Sequence, residues 1–195
     1  SFQEHVAAIA VLGKEHRSSY VCRVNVHMCM EAQDDPAFAA IVNDADLATA
    51  DGMPILNCLS KLTGVKQERV AGNDLMPAVF AEAEKQNLGV FLHGGEQGTL
   101  DAIVARAGSE FPSLRIVGVS SPPFRAATQE ESAAEVDRIV ASGANIVRVS
   151  LGGPRQERWM AEMKGSRLAG RRVLGGAFLL YAALDRGAPK WMGKA

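Results

Sequence analysis

Cysteine is scarce in this sequence, and the cysteines that occur are scattered. Cys22, Cys29 and Cys58 form neither a CxxC pair nor a cysteine–histidine spacing that suits a metal. An odd number of scattered cysteines argues against a disulfide framework and is typical of reduced thiols in a cytosolic protein. No cluster of His, Asp or Glu at ligand spacing occurs elsewhere, so the sequence predicts no metal site.

The sequence also lacks a charge excess and a long apolar run. Its 21 basic and 22 acidic residues leave a formal net charge of −1, which provides no basic footprint for a nucleic acid. No apolar stretch reaches the ~18 residues that mark a membrane-spanning helix, and no signal peptide is recognisable. These absences argue against a nucleic-acid-binding protein and against a membrane span.

A dinucleotide-binding fingerprint is missing as well. No GxGxxG follows the first predicted strand, at 19–24, and no acidic residue lies about 20 residues beyond such a motif. A Rossmann-type dehydrogenase or epimerase is therefore the weaker interpretation.

What the sequence does contain is a repeated alternation of strand, glycine turn and helix. The pattern occurs at 49–53, 92–97, 150–155 and 174–177, with spacings typical of βα units. It predicts one α/β domain over residues 1–195, with a Rossmann-like, mostly parallel sheet flanked by helices. In such a sheet the turns gather at the carboxyl edge, where helix starts favour an anion such as a nucleotide phosphate. Any single glycine turn is explained more simply by backbone geometry.

Particular residues predict where elements begin. Asp35 is expected to cap a helix that has Pro36 at its first position, and Thr128 with Glu131 is expected to form a capping box. The predicted strands span 19–24, 46–49, 88–93, 115–119, 145–151 and 172–174, and the predicted helices include 3–12, 34–42, 74–86, 154–164 (with Pro154 at its first position) and 177–184.

Seven segments, taken in order, resemble one known family. They are VNVHMCMEA (24–32), ADLATADGMPIL (45–56), ERVAGNDLMP (68–77), VFLHGGEQG (90–98), RIVGVSSPPFR (115–125), VSLGGPRQERWM (149–160) and GAPKWM (187–192). Together they resemble the WecG/TagA/CpsF glycosyltransferases of bacterial cell-surface polysaccharide synthesis, and within them the exopolysaccharide branch.

The resemblance implies a reaction as well as a fold. A hexose would be transferred from a UDP-sugar, with inversion and without a metal or other cofactor, to a sugar carried on a polyprenyl diphosphate. The enzyme would be cytoplasmic, peripheral to the inner face of the cell membrane. Exposed apolar surface would further favour a homo-oligomer.

The resemblance assigns the catalytic base to Asp51, which follows a predicted strand. An inverting transfer needs a base that takes the proton of the acceptor hydroxyl. Asp-Gly is also a common turn dipeptide, so its chemistry alone leaves a structural role open. The substrate-binding residues that the resemblance implies are Asn25, Gly52, Asn73, Gly94, Gly95, Gly152, Gly153, Gln156 and Glu157.

Structural roles stay open for several of these residues. Asn25 can cap the helix after the first strand, and Asn73 with Asp74 is expected to cap the helix that follows. Gln156 is expected to face the donor or acceptor sugar, because an amide both donates to and accepts from hydroxyls. Glu157 is favoured by the dipole in the first turn of a helix and can hold the loop together.

Two further features are interpreted as structural. Asp44-Ala45-Asp46 spells DxD, the metal signature of many other glycosyltransferases, but it lies between a helix end and a strand start. It is expected to be a helix-terminating turn at the opposite edge of the sheet. A lone histidine beside a core strand is more often structural, so His27 and His93 are assigned no role.

The sequence departs from the family at three places. Arg23 stands where the family usually has threonine, and its guanidinium can either bind a diphosphate or fill the space of a sugar. Leu179 replaces an aspartate, and Gly187 the arginine of an RAP motif. The basic and aromatic segment that usually follows is not present before Ala195, so a truncated or divergent member is expected. These departures support an alternative, a sugar-nucleotide-binding scaffold without catalysis.

Overall fold

A computed structural model describes residues 1–15, 18–70, 72–125, 127–164 and 173–176. The described residues form eight helices and six strands. In chain order these are α1 (Phe2–Lys14), β1 (Ser19–Val24), α2 (Val26–Asp34), α3 (Pro36–Asn43), β2 (Leu47–Ala50), α4 (Met53–Thr63), α5 (Gly72–Lys85), β3 (Gly89–His93), α6 (Gln97–Glu110), β4 (Arg115–Ser120), α7 (Gln129–Ala141), β5 (Ile146–Val149), α8 (Arg155–Lys164) and β6 (Val173–Gly176).

The strands form one sheet in the order β2-β1-β6-β5-β3-β4, in which each neighbouring pair is parallel. Val21 of β1 lies opposite Leu47 of β2 and Gly175 of β6, and Arg148 of β5 also lies opposite Gly175. Because the strands run in one direction, their carboxyl ends share one edge of the sheet. The predicted α/β fold, Rossmann-like with a parallel sheet flanked by helices, is confirmed.

The helices cover both faces of the sheet, and each face has its own hydrophobic core. On one face α1, α5 and α6 pack on the sheet, and on the other α2, α3, α7 and α8 do so. Neighbouring residues of one strand point into different cores, as Phe91 and Leu92 of β3 do. Such strands are apolar on both sides, which is typical of parallel sheets. Crossovers toward β4 use the first face and those toward β2 the second, so they share one hand.

Several helix starts are built as the sequence predicts. Asp35 accepts hydrogen bonds from backbone N–H groups of the first turn of α3, and Pro36 is the first residue of that helix. Thr128 and Glu131 form the capping box of α7. Each cap satisfies N–H groups that have no partner within the helix. These predictions are confirmed.

Two predicted helix starts are wrong. α5 begins at Gly72, so Asn73 and Asp74 lie in its first turn instead of capping it. α8 begins at Arg155, and Pro154 precedes it after a cis peptide bond. α5 thus starts earlier than predicted, with Gly72 as its first residue, and α8 starts one residue later than predicted.

One helix, α2, has no predicted range, although Asn25 was a candidate cap for a helix after β1. α2 directly precedes α3, and Asp35 ends the first helix and caps the second. No glycine or proline separates the two helices before Asp35, so the sequence offers no break between them. The predicted helix at 177–184 lies outside the described residues.

The DxD segment lies at the amino edge of the sheet, away from the glycine turns. Asp44 is the C-cap of α3, and Asp46 Oδ2 accepts a hydrogen bond from the backbone N–H of Tyr20 at 3.0 Å. Lys164 Nζ lies 3.2 Å from a carboxylate oxygen of each aspartate. The prediction that this segment is a structural turn is confirmed.

Two further properties follow from the described residues, namely the lack of a membrane-spanning helix among them and the state of the cysteines. Within the described part of the chain, no helix is both long and apolar enough to cross a membrane. The three cysteines are free, and only Cys22 is buried. Burial raises the pKa of the Cys22 thiol to about 12, which keeps it protonated at neutral pH.

Candidate active site at the carboxyl edge of the sheet

Backbone hydrogen bonds join the turns that follow neighbouring strands. Asp51 N–H donates to Val24 O at 2.8 Å, which ties the end of β2 to the end of β1. Ser150 N–H donates to His93 O at 2.7 Å, which does the same for β5 and β3. At the carboxyl edge, the turn after β2 is therefore tied to β1, and the turn after β5 is tied to β3.

Asp51 lies at this edge beside a buried guanidinium. Its Oδ2 atom is 3.5 Å from Arg23 Nη1, and the two side chains are 22% and 6% exposed. Gly52 follows with a φ of +100°, a backbone conformation that favours glycine, and it is the N-cap residue of α4. The turn thus leaves the Asp51 carboxylate partly open to solvent while one of its oxygens is held by a cation.

A second buried arginine lies two strands away from β1. Arg148 of β5 donates from Nε to Met76 Sδ at 2.8 Å. Burial and the neighbouring positive charge of Arg23 lower the pKa of Arg148 to about 9. Burial likewise lowers the pKa of Arg23, against the opposing effect of Asp51 and Glu157. The sequence carried one signal for this residue, since an arginine inside the apolar strand NIVRVSL is unexpected unless it has a specific role.

Gln156 and Glu157 lie in the first turn of α8, as predicted, and their side chains are bound to each other. Gln156 Nε2 donates to Glu157 Oε1 at 2.8 Å. Glu157 is 2% exposed, and its Oε2 atom has no hydrogen-bond partner among the described residues. Burial raises the pKa of Glu157 against the lowering effect of Gln156 and Arg23. The Glu157 Oε2 atom is thus a buried acceptor without a donor among the described residues.

Three of the predicted glycines line one large cavity above the other half of the sheet. The cavity has a volume of about 860 Å³, and Gly95, Gly152 and Gly153 form part of its wall. Gly94 adjoins it with a φ of +97°, and a Cβ atom there would lie 2.5 Å from Ser150 O. Only glycine lets the turns after β3 and β5 approach this closely.

The loop between β4 and α7 forms the outer rim of this cavity. Phe124 lies in the wall of the cavity and is fully exposed. Arg125 donates to both carboxylate oxygens of Glu131, at 2.7 and 2.6 Å, and Arg155 donates to Arg125 O at 2.8 Å. The loop is thus fixed at its end by three hydrogen bonds while its aromatic ring faces solvent.

A smaller cavity of about 270 Å³ lies behind the same loop. It is bordered by His93, Glu135 and Trp159. His93 Nδ1 lies 3.4 Å from Glu135 Oε1, and the imidazole stacks on Trp159 with ring centroids 4.5 Å apart. Nothing in the sequence indicated that Glu135 would meet His93.

The remaining predicted site residues divide into two groups. Asn25 is the N-cap of α2, where its Oδ1 accepts from Met28 N–H at 3.0 Å, so its capping role is confirmed. Asn73 lies in the first turn of α5, and its side chain is outside the described atoms, as are Leu179 and Gly187. The structure therefore brings Asp51 together with Arg23, and separately gathers the glycines around the large cavity.

The described residues contain no group of three or more His, Cys, Asp or Glu side chains placed to hold a metal ion. The model of the glycosyl transferase WecG/TagA/CpsF family matches residues 1–195, the whole chain. This match agrees with the resemblance carried by the seven segments and with the α/β fold. The chain belongs to the WecG/TagA/CpsF family of glycosyltransferases.

Proposed function

We propose that this chain transfers a hexose from a UDP-sugar to a sugar carried on a polyprenyl diphosphate, with inversion and without a metal ion. The acceptor oxygen forms a bond to the anomeric carbon as the bond from that carbon to the diphosphate oxygen breaks. UDP leaves, and the acceptor hydroxyl proton passes to Asp51. The reaction takes place at the inner face of the cytoplasmic membrane, where such an acceptor presents its sugar.

The observation that carries the proposal is the position of Asp51. Its carboxylate is partly exposed at the carboxyl end of β2, and its backbone is tied to β1. Ligands of open α/β sheets bind at this edge. A base fixed at this edge and open to solvent on one side suits proton removal from a hydroxyl that approaches from outside.

The large cavity supports a site for the nucleoside end of the donor. It lies over the turns after β3, β4 and β5. β2 is three interstrand steps from β5 in the sheet, about 14 Å at the usual strand spacing. A nucleoside diphosphate sugar that lies along the edge would place its base in the cavity and its sugar beside Asp51.

Helix starts along this path support binding of the diphosphate. Within the described residues, no N-cap side chain accepts a hydrogen bond from the first turn of α4 or α6, and both helices begin at the carboxyl edge. Free N–H groups and the positive end of the helix dipole favour phosphate oxygens. Gly94 and Gly95, with φ of +97° and +92°, keep the turn before α6 free of side chains.

We assign Gln156 and Glu157 to the sugar. Both are buried, and the Glu157 Oε2 atom has no hydrogen-bond partner within the described part of the chain. A sugar hydroxyl can donate to that oxygen, and a small rotation of Gln156 would let its amide bind a second hydroxyl. Gly52, Asn73, Gly152 and Gly153 are assigned to the walls that contact donor and acceptor.

Titration calorimetry tests the donor site first. UDP, a panel of UDP-hexoses and ADP as the control are titrated in EDTA into the protein and into Asp51→Asn. We expect metal-free binding of the uridine nucleotides that survives the substitution, because Asp51 serves the chemical step. If neither protein binds any uridine nucleotide, the proposal is wrong and the scaffold without catalysis is the better account.

The anomeric configuration of the product tests inversion. NMR of the sugar transferred from an α-linked donor should show a β linkage. A product that retains the α linkage contradicts a single displacement with Asp51 as the base.

A further inference from the structure

We propose that Arg23 is a positioning residue that orients the Asp51 carboxylate, and that Gly72 is glycine because it makes room for the Arg23 guanidinium. The inference rests on the proposed function, in which Asp51 is the base. It concerns the contact between three elements, namely the end of β1, the turn after β2 and the first residue of α5.

Arg23 holds one oxygen of the carboxylate and leaves the other for the acceptor. The ion pair joins Arg23 Nη1 to Asp51 Oδ2 at 3.5 Å. The Asp51 backbone is fixed by its hydrogen bond to Val24 O at 2.8 Å. Backbone and side chain of Asp51 are thus both held by β1, so the carboxylate has a defined direction before any substrate binds.

The guanidinium occupies the space that a side chain at position 72 would need. A Cβ atom on Gly72 would lie 1.6 Å from Arg23 Nη1 and 2.6 Å from Arg23 Cζ. No real Cβ makes such contacts, so any other residue at 72 requires Arg23 to move. Because the guanidinium is the far end of a flexible side chain, it can move without a rearrangement of the backbone.

Burial and charge favour positioning over direct binding of the donor diphosphate. Arg23 is 6% exposed, so its guanidinium does not reach into the open edge. The neighbouring charges are those of Asp51, Glu157 and Arg148, which interact with Arg23 electrostatically. The Arg23 guanidinium already forms an ion pair with the Asp51 carboxylate. A ligand for the diphosphate would be expected at the surface with its charge unbalanced.

A double-substitution cycle tests the inference, with transfer measured at saturating donor and UDP binding measured by calorimetry. The proteins are the unsubstituted chain, Arg23→Ala, Gly72→Ala and the double variant, with Asp51→Asn as the reference for loss of the base. We expect Arg23→Ala and Gly72→Ala each to lower the transfer rate ~10–100-fold, with the UDP dissociation constant unchanged within about twofold. In the Arg23→Ala background, Gly72→Ala should change the rate by less than about twofold, because the group that it displaces is gone.

Arg23→Lys gives an independent measurement if Gly72→Ala fails to fold. Lysine keeps the charge but cannot reproduce the position of Nη1, so its rate should fall between those of the arginine and alanine proteins. The inference is overturned if the fold losses in rate of the two single variants multiply in the double variant. It is also overturned if Arg23→Ala transfers as fast as the unsubstituted chain. A tenfold rise in the UDP dissociation constant with the saturated rate preserved overturns it as well, since that result would make Arg23 a donor ligand. If Asp51→Asn itself transfers normally, the proposed function fails first.

Discussion

Two aspartates flank the same short strand, and their contacts within the structure differ. Asp46 precedes β2 at the amino edge, where it accepts a hydrogen bond from Tyr20 N–H and contacts Lys164. Asp51 follows β2 at the carboxyl edge, where its Oδ2 atom lies 3.5 Å from the buried Arg23 guanidinium. The first carboxylate closes a turn, and the second keeps an oxygen available beside the glycine turns. The residue type does not separate the two roles, but the edge of the sheet does.

The two edges differ in where their charges lie. At the amino edge Lys164 and Asp44 are at least partly exposed, so solvent screens their interaction. At the carboxyl edge Arg23, Arg148 and Glu157 are buried within the fold. Burying charge is unfavourable unless it is balanced, so such a cluster adds little net stability. The following substitutions test this contrast, from the largest expected effect to the smallest.

Gly94→Ala should have the largest effect on stability. The new Cβ would lie 2.5 Å from Ser150 O, and the φ of +97° is strained for alanine. We expect the free energy of unfolding to fall by about 2–4 kcal/mol in denaturant titrations. Gly98→Ala is the control, since no described atom beyond the neighbouring residues and the backbone of α6 lies within 4 Å of its Cβ position. It should raise stability by about 0.5–1 kcal/mol, and equal losses in both variants would contradict the close approach of the turns.

Phe124→Ala should weaken donor binding without changing stability. The ring is exposed at the rim of the large cavity, where it can stack on a base. We expect the UDP dissociation constant to rise about 3- to 10-fold in calorimetry, the usual worth of an aromatic contact. Leu62→Ala removes another exposed apolar side chain, on α4, and should leave UDP binding unchanged. A loss of binding in both variants would point to general hydrophobic contacts instead.

Asp46→Asn should lower stability slightly and leave transfer intact. Asparagine keeps an acceptor for Tyr20 N–H but loses the ion pair with Lys164 at 3.2 Å. We expect the free energy of unfolding to fall by about 0.5–1 kcal/mol at low salt and by less in 1 M NaCl. A large loss of transfer activity would contradict the structural role of the amino edge.

Glu157→Gln should change how stability depends on pH. The folded state raises the pKa of Glu157, so the folded chain binds the Glu157 proton more tightly than the unfolded chain does. The stability that this proton contributes is complete below the unfolded value of 4.5 and is lost as pH rises through the folded pKa. Relative to Glu157→Gln, the unsubstituted protein should therefore lose stability as pH increases above 4.5. Parallel pH curves of the free energy of unfolding would show that Glu157 is not the group responsible.

Much of the fold could be predicted because local signals agree with the global pattern. β1 was bounded correctly at Ser19–Val24, since its apolar residues lie between polar ends. Asp35 and Thr128 identify helix starts through short-range hydrogen bonds, which depend on neighbours in sequence. No range was predicted for α2, because Asp35 is both the last residue associated with α2 and the cap of α3. No local signal therefore marks the boundary between the two helices.

The site was predictable only in part, because its contacts are distant in sequence. Asp51 could be placed at the carboxyl edge, since a strand and a glycine position it locally. The meeting of Arg23 with Gly72 depends on how α5 packs against β1, and no sequence pattern encodes it. The hydrogen bond from Gln156 to Glu157 depends on side-chain rotation within one turn, which residue type does not determine.

The most direct test of the account is the single-turnover rate of transfer with saturating donor for Asp51→Asn, measured beside Asp46→Asn. The account predicts that Asp51→Asn loses about 10²–10⁴ in rate, the usual contribution of a general base, while it binds UDP normally. Asp46→Asn should stay within about twofold of the unsubstituted protein, because the chemistry takes place at the other edge. Equal rates in the two variants would contradict the assignment of Asp51 as the base.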